Sequence, residues 1–226
     1  MDISAFIEIA KELHVLGIKI TKDGELINEW YSEEECRRNI YSAAKSFTSC
    51  AVGFAVQEGL ISLDEKLTDA FSEDLPEVID ENLQMATVRD LLTMCLGQEQ
   101  GSLMGAQRPT WEIDPLGNNF GAGGLFLTLS ELHKFGLFYL NKGKWEGRQL
   151  LSEKWIEEST KASDTDYYGY LFWRGEYNSF RADGKYSQIT MILPDKNAVV
   201  SLVAECRQGE KLMRALYDLV CAIIPA

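Results

Sequence analysis

The sequence predicts an α/β fold of the α+β kind: an antiparallel sheet made from both chain ends, flanked by the terminal helices, with a reduced all-α region inserted between them. Three observations carry that expectation. Apolar residues alternate over His14 to Thr21 and run back over Leu26 to Tyr31, across Lys22-Asp23-Gly24-Glu25, a hairpin signature. Four strand-like runs follow one another between Tyr168 and Cys206. The patterns between these two regions are helical or irregular. An isolated hairpin is marginal in water, so the N-terminal pair is expected to join the C-terminal meander in one sheet, with the terminal helices on one face.

Each element has its own signal. Ile3, Phe6, Ile7, Ala10 and Leu13 stand at helical spacing and open the chain as an amphipathic helix. Residues 32–39 are charged and read as a surface connection. Ser42 to Gly59 is apolar and helical, with Glu58-Gly59 as its stop. Residues 60–81 are polar, and Glu73, Asp74, Glu77, Asp80 and Glu81 read as a solvated face. Thr87 caps a short helix reaching about Met94. Residues 97–124 are irregular, carrying seven glycines with Pro109 and Pro115.

Thr128-Leu129-Ser130-Glu131 spells a capping box before a helix to about Asn141. Leu151-Ser152-Glu153 begins another, ending near Thr160. Tyr168–Arg174, Asn178–Ala182, Ser187–Leu193 and Ala198–Cys206 read as strands, separated by Gly175, Asp183-Gly184 and Pro194-Asp195-Lys196-Asn197. Gln208 to Ile224 closes the chain as an amphipathic helix. The expected division is one domain over residues 1–226. Residues 1–39 and 161–226 form its α/β region, and residues 40–160 its helical region.

Composition narrows the function classes. At 226 residues, 46% hydrophobic and 25% charged, the chain can bury a substantial core and is not disordered. Its net charge of −13 repels phosphate backbones and anionic lipid, so neither nucleic acid nor membrane is an expected partner. No apolar run approaches the roughly 18–20 residues that span a bilayer. Met1-Asp2-Ile3-Ser4 lacks a secretory pattern, and five cysteines without CxxC spacing read as free thiols, so a cytoplasmic location is expected. His14 and His133 are the only histidines, which argues against a histidine-based zinc site. No metal and no cofactor are expected.

The residues that carry chemistry are Ser42-Ala43-Ala44-Lys45. Three positions apart near a helix start, Ser42 and Lys45 share a face, and the helix N-terminus offers positive potential to a developing oxyanion. A lysine in an apolar wall loses its proton readily enough to act as base toward the serine. The spelling alone is weak, since S-x-x-K arises by chance roughly once in a chain this long.

Its surroundings are more specific. The stretch Ile40 to Leu67, IYSAAKSFTSCAVGFAVQEGLISLDEKL, closely resembles the nucleophile helix of the penicillin-recognising serine hydrolases, above all their class C β-lactamase-like branch of esterases, D,D-peptidases and amide hydrolases. Thr87-Val-Arg-Asp-Leu-Leu-Thr-Met94, Trp111-Glu-Ile-Asp-Pro-Leu-Gly117, Gly121-Ala-Gly-Gly-Leu125, Phe135 to Gly143 and Tyr168 to Trp173 resemble later passages in the family's order. The resemblance covers most of the chain and implies a β-lactamase/transpeptidase-like fold.

It also implies site residues. Ser42 would be the nucleophile, Lys45 the general base, and the backbone N–H of Ser42 and Lys185 the oxyanion hole. The family's K-T-G or H-T-G strand falls on Ala182-Asp183-Gly184, without its cationic or imidazole side chain. Two other readings stay open there: Asp183-Gly184 as a plain hairpin turn, or Lys185-Tyr186-Ser187 as the K-T-G equivalent. Tyr41, Gly184 and Tyr186 would contact substrate.

One departure matters most. The family's Y-x-N element should lie between Met94 and Trp111, yet Cys95 to Thr110 hold neither tyrosine nor asparagine. A helical subdomain is absent by comparison, with Gly101 to Pro109 bridging the gap. A positioned acid/base is typically worth about 10²–10⁴ in rate, so chemistry should be weakened. Tyr41, Tyr168 and Tyr186 are the candidate substitutes.

The expected activity is acyl transfer on a small ester, amide or β-lactam; the alternatives are a penicillin-binding-like acyl trap and an inert truncated member. A homodimer is expected to re-cover apolar surface along Leu125 to Leu140. Cys50 and Cys95 read as buried packing residues, and His133 as surface or packing. Glu205 and Asp114 reach the cleft only by family analogy.

Overall fold

The computed structural model describes residues 2–73, 75–95, 111–113, 117, 119–163 and 165–223. The chain opens with helix α1 (Ser4–Glu12) and the hairpin β1 (Val15–Lys22) and β2 (Glu25–Tyr31). Asp23 and Gly24 both adopt positive φ, +52° and +82°, the geometry that an Asp-Gly hairpin turn requires. A two-residue strand β3 (Arg38–Asn39) and a 3₁₀ turn (Tyr41–Ala43) lead into α2 (Ala44–Gln57). The short helices α3 (Leu67–Ala70), α4 (Glu81–Met85) and α5 (Val88–Leu92) come next, then β4 (Phe126–Leu127) and α6 (Leu129–Leu140). A small hairpin, β5 (Lys144–Trp145) and β6 (Arg148–Gln149), precedes α7 (Glu153–Thr160). Strands β7 (Trp173–Arg174), β8 (Phe180–Gly184), β9 (Gln188–Leu193) and β10 (Ala198–Ala204) lead to α8 (Gly209–Ile223).

Six strands form one antiparallel sheet in the order β2-β1-β10-β9-β8-β7. The join between the chain ends is the β1–β10 pair, with Ile18 opposite Leu202 and Ile20 opposite Val200. Every residue of β9 and β10 is buried, as expected of strands covered on both faces. On one face, Phe6, Ala10, Leu212, Leu216 and Val220 of α1 and α8 pack on Ile18, Ile20, Met191 and Leu202. On the other, α6 crosses the sheet closely: a Cβ at Gly136 would lie 2.5 Å from Thr190 Oγ1 and 2.6 Å from Val199 Cγ1.

Capping follows the sequence pattern. Thr87 and Thr128 each form a complete capping box, with Asp90 and Glu131, and Ser152 accepts the Trp155 N–H. Several expectations are corrected. The Tyr168–Arg174 run is strand only at Trp173–Arg174, because Leu171 turns to φ +61° and Tyr168 makes only an isolated bridge to Trp173. β8 begins at Phe180 rather than Asn178, which has φ +54°, and runs on through Asp183 and Gly184. Cys95 is exposed rather than buried, since it lies past the end of α5; Cys50 is buried. Along Leu125 to Leu140, Leu125, Leu129, Leu132, Phe135 and Tyr139 are buried, while Phe126, Leu127, Leu137, Phe138 and Leu140 are partly buried. Exposed apolar side chains fall instead at Phe71, Val78, Met85 and Met94. Among the described residues, no helix is long and apolar enough to cross a membrane.

One polar chain runs through the α6–sheet interface. His133 lies 2.7 Å from Thr21 Oγ1 through Nε2 and 2.9 Å from Ser201 Oγ through Nδ1, and Ser201 meets Thr190 at 2.7 Å. Burial, followed by the nearby Lys19 charge, pushes the imidazole down to about 4 from an ordinary 6.5. The unfolded chain therefore takes up a proton near pH 6.5 that the folded chain refuses until about 4. This contribution is intact above pH 6.5 and is lost as pH falls toward 4. It amounts to about 3 kcal/mol. Urea unfolding on either side of that window reads the loss, and His133→Gln flattens the slope between them.

Candidate active site

The site begins where β3 meets β4. Asn39 pairs with Phe126, and the Ile40 N–H donates to Leu125 O at 2.8 Å, so the chain enters the turn from a fixed backbone. The next residue, Tyr41, has φ +48°, a region costly for a side chain of this size. Its N–H donates to Asn39 Oδ1 at 2.8 Å. The chain then tightens into the 3₁₀ turn, with Ala43 N–H donating to Ile40 O at 3.1 Å, and α2 follows. Ser42 is therefore in the turn ahead of α2 rather than within it, and it is exposed.

Lys45 lies one turn on. Its Nζ donates to Ser42 Oγ at 2.9 Å and to Ala122 O at 3.1 Å. The residue is half-buried, and no carboxylate among the described residues pairs with it. Burial is the cause that holds its pKa below the ordinary lysine value. The glycine-rich passage forms this wall. Thr48 Oγ1 donates to Gly121 O at 2.6 Å, and Trp111 Nε1 donates to Phe120 O at 2.8 Å and Gly123 O at 3.1 Å. Those bonds fix the loop whose Ala122 carbonyl holds the lysine.

The β8–β9 hairpin closes the other side. Gly184 is the last residue of β8, and the turn is Lys185-Tyr186-Ser187, with Tyr186 and Ser187 at φ +62° and +67°. Asp183-Gly184 is therefore strand, not the plain hairpin turn, because the ladder continues to Gly184 opposite Gln188. A Cβ at Gly184 would collide with Ile40 O and lie 3.0 Å from Ala43 N. Glycine lets this strand end touch the Ser42 turn. Among the described residues, neither the Ser42 N–H nor the Lys185 N–H is donated to a protein acceptor. The Lys185 side chain is exposed and lies 5.0 Å from the Tyr186 ring centroid.

The structure thus brings Tyr41, Ser42, Lys45, Gly184, Lys185 and Tyr186 together. The Tyr41 and Tyr186 rings meet edge to face, with centroids 5.5 Å apart. They share a cavity of about 580 Å³ with Arg38, Asn39, Gln188 and Arg207. Tyr168 is elsewhere: it is buried against Trp173, and burial pushes its hydroxyl up to about 12. Glu205 lines the cavity, 3.7 Å from Arg38 Nη1. Asp114 and residues 96–110, where the Y-x-N question and the Gly101–Pro109 bridge fall, lie outside the described residues. Among the described residues, no cluster of His, Cys, Asp or Glu is arranged to hold a metal.

Two participants escaped the sequence reading. Asn39 had a signal available, since Asn two residues before a left-handed position is an Asx-turn spelling. The Ala122 carbonyl had none, because a backbone acceptor leaves no trace in residue type.

No family model and no curated protein matches the sequence. Solved structures match its shape. A Bacillus anthracis protein assigned as a 6-aminohexanoate-dimer hydrolase superposes with a TM-score of 0.79 at 15% identity, over 97% of this chain and 83% of that one. The octameric penicillin-binding protein homologue from Pyrococcus abyssi gives 0.68 at 16% identity, over 99% and 78%. A β-lactamase from Mycobacterium bovis gives 0.64 at 15%, over 98% and 100%. The fold is that of β-lactamases and penicillin-binding proteins.

Gly184→Ala should force β8 away from the Ser42 turn, because its neighbours are backbone atoms that cannot rotate aside. Thermal unfolding should show a loss of about 1–3 kcal/mol.

Proposed function

We propose that this chain is a serine hydrolase-type acyl-transfer enzyme acting on small esters, amides or β-lactams. The observation that carries the reading is the 2.9 Å hydrogen bond between Lys45 Nζ and Ser42 Oγ, made by a lysine that burial holds below its ordinary pKa. The β-lactamase and penicillin-binding fold supports it, as does the assignment of the B. anthracis neighbour as a 6-aminohexanoate-dimer hydrolase.

The steps follow from the positions of the groups. Neutral Lys45 takes the Ser42 hydroxyl proton as Oγ attacks the substrate carbonyl carbon. The oxyanion is received by the N–H groups of Ser42 and Lys185, on either side of the Gly184 contact. Collapse of the intermediate expels the leaving group, which takes the proton from the Lys45 ammonium. Water then attacks the acyl-enzyme and gives a proton to Lys45, which passes it to Ser42 Oγ as the acid departs, restoring both residues. Tyr41, Gly184 and Tyr186 form the wall against which the substrate lies. An exposed serine with no second acid/base bonded to it among the described residues favours good leaving groups, so activated esters come before amides.

A second reading rests on one observation. Among the described residues, the hydrogen-bond partner of Ser42 Oγ is Lys45, and no tyrosine hydroxyl bonds to either. If that limits deacylation, the protein acts as an acyl trap that reacts once and turns over slowly.

Intact-protein mass spectrometry after a fluorophosphonate, a β-lactam and p-nitrophenyl acetate tests both. A Ser42-dependent adduct is expected, absent in Ser42→Ala; its lifetime separates hydrolase from trap. An adduct that persists in Ser42→Ala overturns the nucleophile assignment. Lys45→Met should slow acylation by about 10²–10⁴. Because neutral lysine is the competent form, the wild-type rate should fall as pH drops through the Lys45 pKa. That inflection should lie below the usual 10.5, as read from a pH–rate profile.

A further inference from the structure

We infer that Asn39 is a positioning residue for the Ser42 nucleophile, acting through the Tyr41 backbone; the inference rests on the acyl-transfer reading above. Three observations converge on it. Tyr41 is held at φ +48°, where a tyrosine is unfavourable unless its surroundings fix it. The Asn39 carboxamide fixes it from one side, accepting the Tyr41 N–H at 2.8 Å. The Tyr186 ring meets the Tyr41 ring edge to face from the other, at 5.5 Å.

Asn39 itself is well anchored. Its backbone is paired with Phe126 across β3–β4, and the following Ile40 N–H donates to Leu125 O at 2.8 Å. The Ile40 carbonyl in turn accepts from Ala43 at 3.1 Å and abuts Gly184. The Ile40 and Tyr41 carbonyls are held by the turn's own backbone bonds, whereas the Tyr41 N–H, at the left-handed φ, is held by the Asn39 side chain. Rotation of Tyr41 toward ordinary φ would swing the Ser42 peptide. Ser42 Oγ would then leave Lys45, and the Ser42 N–H would leave the Lys185 side. Both groups that the acylation step needs move on one torsion.

The role differs from substrate contact and from simple stability in what it should change. A positioning residue alters the bond-making step and leaves non-covalent recognition in place, and the loss should be recovered by any side chain with an acceptor at the same atom. Asn39→Asp keeps an Oδ1 acceptor; Asn39→Ala removes it.

The test measures fluorophosphonate labelling of wild type, Asn39→Ala, Asn39→Asp and Ser42→Ala, separating the saturation constant from the maximal labelling rate. Amide hydrogen exchange at Tyr41 is followed in parallel. For Asn39→Ala the maximal rate should fall about 10- to 100-fold with the saturation constant little changed. Tyr41 amide protection should be lost, and Asn39→Asp should retain both rate and protection. Labelling of Asn39→Ala at the wild-type rate overturns the inference alone, as does an equal loss in Asn39→Asp. Wild-type protein that forms no Ser42-dependent adduct overturns the nucleophile reading and this inference with it.

Discussion

The carbonyl of Ile40 lies against the α-carbon of Gly184, and the candidate site depends on that contact. It sets the end of β8 beside the turn that presents Ser42. Any side chain at residue 184 would separate the two, and with them the N–H groups of Ser42 and Lys185. The contact is possible because the sheet places β8 beside β9, with β9 and β10 buried beneath α6. The hairpin turn after Gly184 takes two left-handed residues, Tyr186 and Ser187, which bring the Tyr186 ring back over Tyr41.

Electrostatics then divides the labour between two neighbours. Ser42 is open to solvent and so to substrate, whereas Lys45, one turn later, sits in a wall made by α2 and the 120–124 loop. With no carboxylate among the described residues pairing with it, burial lowers the lysine's proton affinity. The Ala122 carbonyl orients Nζ without adding a full negative charge.

The same sheet carries a second polar device that serves the fold. Lys19, Thr21, His133, Thr190 and Ser201 line the contact of α6 with β1, β9 and β10. Their hydrogen bonds specify how α6 seats on the sheet where apolar packing alone would tolerate sliding. Burial and the Lys19 charge disfavour the imidazolium there, so the interface that supports the site is also its acid-labile part.

What the sequence determined by itself is local. The Asp23-Gly24 turn, the capping boxes at Thr87 and Thr128, the Ser152 cap and the spacing of Ser42 to Lys45 all rest on residues a few positions apart, where bonding partners are dictated by chain geometry. The joining of both chain ends in one sheet was also legible, because a lone hairpin has nowhere else to bury its apolar face. Strand ends were not: Tyr168 to Phe172 is as apolar as a strand, and only packing on Trp173 and α2 turns it into irregular chain. Nor were the exposure of Cys95 and the burial of Leu129, Leu132 and Tyr139, which depend on what lies opposite. The tertiary structure alone decided that Gly184 ends a strand rather than forming a turn, that Ala122 offers its carbonyl to Lys45, and that Asn39 holds Tyr41 in a left-handed conformation. The first rests on how far the β8–β9 ladder runs, the second is a contact between distant segments, and the last is an Asx-turn spelling that became meaningful only once β3 was pinned to β4. A backbone atom brought close by folding leaves no mark on the sequence that positions it.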